Sequence, residues 1–171
     1  MNLEEAIRTA MEYEAKVHRT YSEALEQSTD EVGKRVFRTL CEEERGHLKY
    51  LKERLDEWRS TGTITLERLE TAIPSRQSID DAVTQLRDQV KGRPRRTSAT
   101  EVDLLERALK VEVETSDFYR EMVRTLDSQG QELFARFVEI EEGHRAIVQA
   151  ELDCVSGLGF WFDSREFNLE G

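Results

Sequence analysis

A chain of 171 residues is long enough for one domain with a sizeable buried core. With 36% charged and 37% hydrophobic residues, 9 Gly and 2 Pro, its composition excludes a strand-rich or low-complexity protein and favours long helices. The formal charge of −11 argues against nucleic acid as a main partner, and no apolar run approaches the ~20 residues that span a bilayer.

The apolar spacing predicts a first helix from about Asn2 to Gln27, with Leu3, Ile7, Ala10, Met11, Val17, Tyr21 and Leu25 on one stripe. Glu14 falls inside that stripe. Ser28, Thr29 and Asp30 supply a break and an N-cap. A second helix then runs to about Arg59, carrying Val36, Phe37, Leu40, Cys41, Leu48, Leu51 and Leu55 on one face, which Glu44 and His47 interrupt.

Residues 60–99 read as a crossover, punctuated by Gly62, Pro74, Gly92 and Pro94. Ser78-Ile-Asp-Asp81 has the form of a capping box that opens a short helix, which Gly92 ends. A connection of about 40 residues is unusual inside a domain unless it travels the length of a bundle. Its basic stretch Lys91-Gly-Arg-Pro-Arg-Arg96 has no aromatic residue and reads as a solvated loop.

Ser98-Ala-Thr-Glu101 has the form of a second capping box. It opens a third long helix with Val102, Leu105, Leu109, Tyr119, Val123 and Leu126 on one face, where Glu112 and Ser116 fill the gap. A turn at Asp127–Gly130 leads to a fourth helix with Phe134, Phe137, Val148, Leu152 and Val155, interrupted by Glu141 and His144. Ser156-Gly-Leu-Gly159 ends it. The expected division is a bundle over 1–157 and a tail over 158–171. The tail's aromatics, Phe160, Trp161, Phe162 and Phe167, are expected to cap the bundle end or seal a contact in a homodimer or higher homo-oligomer.

Cys41 and Cys154 are too few for a four-thiolate site. At 1.5 Å per residue, Cys154 lies roughly 20 Å along its helix from Glu141, whereas Cys41 is one turn from Glu44. The sulfurs are therefore expected to stay apart as free thiols, which suits a reducing cytoplasm. The acidic, amphipathic start MNLEEAIRTA does not have the form of a signal peptide.

The chemistry resides in a repeat. Glu44-x-x-His47 and Glu141-x-x-His144 each place a carboxylate and an imidazole on one helix face. Each is preceded, 30 and 29 residues earlier, by a glutamate in an apolar stripe, Glu14 and Glu112. Ala10 to Glu14 with Tyr21 matches Ala108 to Glu112 with Tyr119, so a two-helix hairpin occurs twice. Short turns make antiparallel neighbours, which brings the two glutamates of each hairpin level. Packed face to face, the hairpins gather four carboxylates and two imidazoles at mid-height.

Four ionised carboxylates in a core, with no Lys or Arg on the same stripes, would be prohibitively unfavourable. Two divalent cations would neutralise them, the imidazoles staying neutral. Carboxylate and imidazole donors suit Fe or Mn, whereas a structural Zn site would prefer thiolates. A Glu from each of two helices, with Glu-x-x-His from each of the other two, is the donor set of ferritin-like di-metal bundles.

On these motifs the chain resembles the rubrerythrin-like di-iron proteins of the ferritin-like superfamily, over both hairpins but not the crossover or tail. The resemblance implies an all-α, ferritin-like four-helix bundle of two antiparallel hairpins. It implies Glu14, Glu44, His47, Glu112, Glu141 and His144 as ligands of two Fe ions, with Glu44 and Glu141 bridging. Tyr21 and Tyr119 are implied as hydrogen-bond donors to ligand carboxylates. The implied function is an oxidoreductase that reacts with hydrogen peroxide or oxygen, serves in oxidative-stress defence and depends on an external electron donor. The alternative is a ferritin-like iron-binding or storage protein with ferroxidase activity. His18, one turn after Glu14, is expected to be only a partly exposed polar residue. Two departures stand out. The four-cysteine rubredoxin domain of rubrerythrins proper is not in the sequence, and the family's extra glutamate on the third helix is here Leu109.

Overall fold

The computed structural model describes residues 1–89 and 98–162, and among them all regular structure is helical. The basic stretch Lys91–Arg96, with Gly92 and Pro94, and Phe167 lie outside the described residues. Five helices follow in order: α1 (Leu3–Gln27), α2 (Glu31–Thr61), α3 (Arg76–Gln89), α4 (Ala99–Thr125) and α5 (Ser128–Gly157). The four long ones are the bundle helices that the apolar spacing predicts.

Their starts follow from side chains that satisfy free backbone N–H groups. Asn2 and Glu5 form a reciprocal box at α1, with both hydrogen bonds at 2.9 Å. Asp30 accepts from Val32 and Gly33 at α2, and Asp127 from Gly130 at α5. α2 stops at Gly62, whose φ of 72° is left-handed and whose N–H donates to the Trp58 carbonyl.

Two caps differ from expectation. Ser98 accepts from the Glu101 N–H at 3.3 Å, but the Glu101 carboxylate does not return to it. That carboxylate crosses to the α1–α2 turn. There it accepts from the Ser28 hydroxyl at 2.9 Å and from the backbone N–H groups of Thr29 at 2.8 Å and Asp30 at 3.2 Å. A part-buried turn with free N–H groups is a better partner for a charge than a helix end open to water. α3 begins one turn before the expected Ser78, because the hydroxyl of Ser75 accepts from the Ser78 N–H.

α1 packs on α2, α4 on α5, and α1 on α4. Lys16 and Glu114 occupy equivalent positions of the repeat and meet at 2.8 Å, so the two hairpins face each other about an approximate two-fold axis. Two apolar layers result. One holds Val17 and Tyr21 of α1, Phe37 and Leu40 of α2, Leu105 and Ala108 of α4, and Ile147 and Val148 of α5. The other holds Ile7 and Ala10, Leu51 and Leu55, Tyr119 and Met122, and Phe134 and Phe137, from the same helices in the same order. On every bundle helix the polar residues of the repeat fall between the layers. Met11, Leu25, Leu48 and Leu109 lie half-buried at the edges of the core.

The crossover passes from one layer to the other, as its length predicts. Ile64 and Leu69 sit in the layer of Ile7, and Ile73, Ile79 and Leu86 in the layer of Val17. Long side chains of the bundle hold its backbone. Arg54 donates to the Thr65 carbonyl at 2.8 Å, Tyr50 to Glu67 at 2.6 Å and Arg136 to Leu69 at 2.9 Å. Glu43 accepts from Thr71, Ala72 and Ile73 at 2.7–3.2 Å. α3 then lies along α5.

At the end of α5 the chain turns at Gly159, whose φ is 80°. Trp161 and Phe162 fold back into the first layer. The Trp161 ring meets Phe37 edge-on at 5.3 Å and covers Gly33, where a Cβ would come within 2.7 Å of the indole. The start of the tail therefore caps the bundle end. Cys41 and Cys154 are buried and free, as expected. No helix among the described residues is long and apolar enough to cross a membrane.

Candidate metal centre

All six residues singled out by the repeat meet between the two layers, and each is fully buried. Each pair is aimed by its helix: with apolar neighbours on the same face turned into the core, the i and i+3 side chains of Glu44/His47 and Glu141/His144 must point inward together. His47 Nδ1 lies 3.2 Å from Glu44, 3.4 Å from Glu14 and 3.4 Å from Glu141. His144 Nδ1 lies 2.9 Å from Glu44 and 3.7 Å from Glu112. The two imidazoles stack, with centroids 5.3 Å apart and planes 15° apart.

The six donors fall into two overlapping sets of four, and Glu43 also offers an oxygen within 4.8 Å of His47 and His144. Glu14, Glu44, His47 and Glu141 offer atoms within 4.8 Å of one another, and so do Glu44, Glu112, Glu141 and His144. Glu44 and Glu141 belong to both. That sharing is what bridging carboxylates require.

Tyr21 donates its hydroxyl to Glu112 and Tyr119 donates to Glu14. Each tyrosine therefore serves the glutamate of the opposite hairpin. Burial and the neighbouring carboxylates push both phenols well above their usual range, so they remain donors at any ordinary pH.

The donor set can be tested against a metal pair on its own electrostatics. Burial pushes Glu14 up to about 8, with the charge of Glu44 adding to it. Burial, then Glu112, Glu14 and Glu44, raise Glu141 well above the usual carboxylate range. Burial opposes ionisation of Glu44 too, but His47 and hydrogen bonds from Glu14, His144 and His47 outweigh it and hold Glu44 low. Burial would lower both imidazoles, and the surrounding carboxylates reverse that and raise them. Without cations the cluster retains protons to offset its charge. Oxygens of Glu44, Glu112 and Glu141 nevertheless have no hydrogen-bond partner among the described residues. Buried acceptors without donors, clustered around imidazole nitrogens, fit two divalent cations.

His18 is half-buried and joins no metal-competent group among the described residues, while Ser116 is fully buried. Cys41 is turned away, its Sγ 3.1 Å from the Ser22 hydroxyl. Leu109 leaves no carboxylate at the place of the family's extra ligand. Sequence reasoning did not anticipate the buried partners of Glu101 or the crossover contacts of Glu43. Both carboxylates cap backbone, Glu43 while also lying within reach of His47 and His144, and neither position carries a repeat signal.

Residues 1–55 match the rubrerythrin family model, a stretch that contains Glu14, Glu44 and His47. No curated protein and no solved structure matches the chain. The family match and the all-helical architecture together are consistent with a rubrerythrin-like protein of ferritin-like fold.

Proposed function

We propose that this rubrerythrin-like chain is a non-haem di-iron carboxylate protein that acts as an oxidoreductase on hydrogen peroxide or oxygen, in oxidative-stress defence. The observation that carries this reading is the pair of overlapping, fully buried donor sets sharing Glu44 and Glu141. Rubrerythrins bind iron, and the carboxylate and imidazole donors suit it, with Mn also compatible.

In this reading Glu14 and His47 would hold one ion and Glu112 and His144 the other, with Glu44 and Glu141 within reach of both. A bound iron pair supplies one electron from each ion and polarises an O–O bond. The chain's own part is to orient and to exclude. Tyr119 and Tyr21 fix the carboxylates of Glu14 and Glu112, each from the opposite hairpin. The layers built on Phe37 and Phe137 keep bulk water from both sides. Reduction after each turnover requires an external electron donor.

Stopped-flow mixing of Fe(II)-loaded protein with hydrogen peroxide or oxygen tests the proposal. Oxidation of two irons per chain, reversed by an added reductant over repeated cycles, is expected. Oxidation of many irons per chain would favour the ferritin-like storage alternative, and failure to take up metal would overturn both readings.

A further inference from the structure

Although the chain carries a net charge of −11, one cleft gathers arginines from three helices. It lies between α3 and α5, has a volume of about 480 Å³, and is lined by Arg76 and Arg87 of α3, Arg120 of α4 and Arg145 of α5, with the carboxylates Asp80, Glu142 and Asp153 also on its walls. That volume is within the roughly 300–1,000 Å³ typical of small-molecule sites.

The four arginines are not equally occupied. Arg120 is held by Glu142 at 3.3 Å. Arg76 and Arg87 are exposed and lie at 3.9 and 4.0 Å from Asp80 and Asp153, at the long limit of an ion pair. Contacts of that kind contribute little and yield readily to a better anion. Arg145 is half-buried and has no ion pair or hydrogen bond among the described residues.

We propose that this cleft binds the phosphate group of a small organic ligand, with Arg145 as its anchor. A phosphate monoester offers three terminal oxygens in a tetrahedral array, so guanidinium forks from several sides can donate to it at once. A planar carboxylate would occupy Arg145 and leave the others to their present partners.

Its position gives the site a use. α5 turns Glu141 and His144 toward the metal-competent cluster, while Glu142 and Arg145 line the cleft. A bound molecule is therefore separated from the centre by one helix, about 10 Å across. The external electron donor could approach the centre there. That use rests on the proposed function, whereas binding itself does not.

Flavin mononucleotide and riboflavin, which differ by the phosphate, are suitable probes in fluorescence titrations of the full chain with and without iron. Flavin mononucleotide is expected to bind at least about tenfold more tightly than riboflavin, and Arg145→Gln to cost about tenfold. Added salt and inorganic phosphate should weaken it. Since Arg145 adjoins His144, the exposed pair Arg76→Gln with Arg87→Gln provides a second variant, expected to weaken binding several-fold. Arg107→Gln, outside the cleft, should leave it unchanged. Equal affinity for the two flavins, no binding at about 1 mM, or the same loss with Arg107→Gln would overturn the site. If the flavin binds as expected to protein that takes up no metal, the site stands and the oxidoreductase reading falls.

Discussion

The two hairpins carry the same inward residues and different outward ones. Glu14, Glu44 and His47 on one side, and Glu112, Glu141 and His144 on the other, are buried alike, and each half gives a tyrosine to the other. Outward, α2 meets water: Gly46 is exposed, with nothing near a Cβ placed on it. The equivalent Gly143 of α5 is buried under the crossover, where a Cβ would come 3.2 Å from the Pro74 carbonyl. Glu43 of α2 holds the crossover by capping Thr71 to Ile73, while its equivalent on α5 is the buried Ile140. The inward positions must serve one shared cluster, so the repeat keeps them equal. The outward positions answer to a crossover that touches both hairpins but presses on α5 at Gly143 and leaves Gly46 of α2 open.

Removing a shared ligand should have the largest effect. Glu44→Ala and Glu141→Ala should each lose at least one of two metal ions per chain, and to the same degree if the halves are equivalent. Metal analysis of the purified variants checks this, and two ions retained by either would break the symmetry.

The next effect comes from charge. In the metal-free protein Glu14 keeps its proton to about pH 8, against an ordinary value of 4.5. Its stabilising contribution is fully present below 4.5 and is lost as pH rises toward 8. Glu141 and both imidazoles are raised as well, so they act in the same direction. The melting temperature of metal-free protein should therefore fall across this range. Divalent iron or manganese should reverse the slope, since metal binding releases the same protons. A melting temperature indifferent to pH and metal would contradict the cluster's electrostatics.

Tyr21→Phe and Tyr119→Phe each remove one hydroxyl from a buried carboxylate, and each should cost about 1–3 kcal/mol in metal-free protein. Urea denaturation reads the cost, and unequal values would show that the cross-hairpin contacts are not equivalent. The two glycines separate the outward faces at smaller energies. Gly143→Val should destabilise by about 1–3 kcal/mol through overpacking against the crossover. Gly46→Val should change stability by less than about 0.5 kcal/mol, helix propensity favouring the variant. Similar urea midpoints for both would mean that the crossover does not press on α5.

Much of this was legible in the residues. The four bundle helices follow from apolar spacing, and the cap at Asp30 is a local pattern with local partners. The repeat picked out the six donors because a carboxylate in the middle of an apolar stripe requires a reason. The Glu101 and Ser78 readings went astray on local motifs. A Ser-x-x-Glu pattern cannot show that a turn 72 residues away offers better donors. At α3, Ser75 and Ser78 are one turn apart, and sequence alone does not rank them as caps.

The sequence by itself therefore determined the helices, the twofold repeat and the set of donors, because each depends on spacing along one helix. Only the tertiary structure decided that each tyrosine serves the opposite hairpin and that arginines from three helices line one cleft. Those are relations between faces of different helices. They are set by how the hairpins and crossover pack, and no spacing within one segment encodes them.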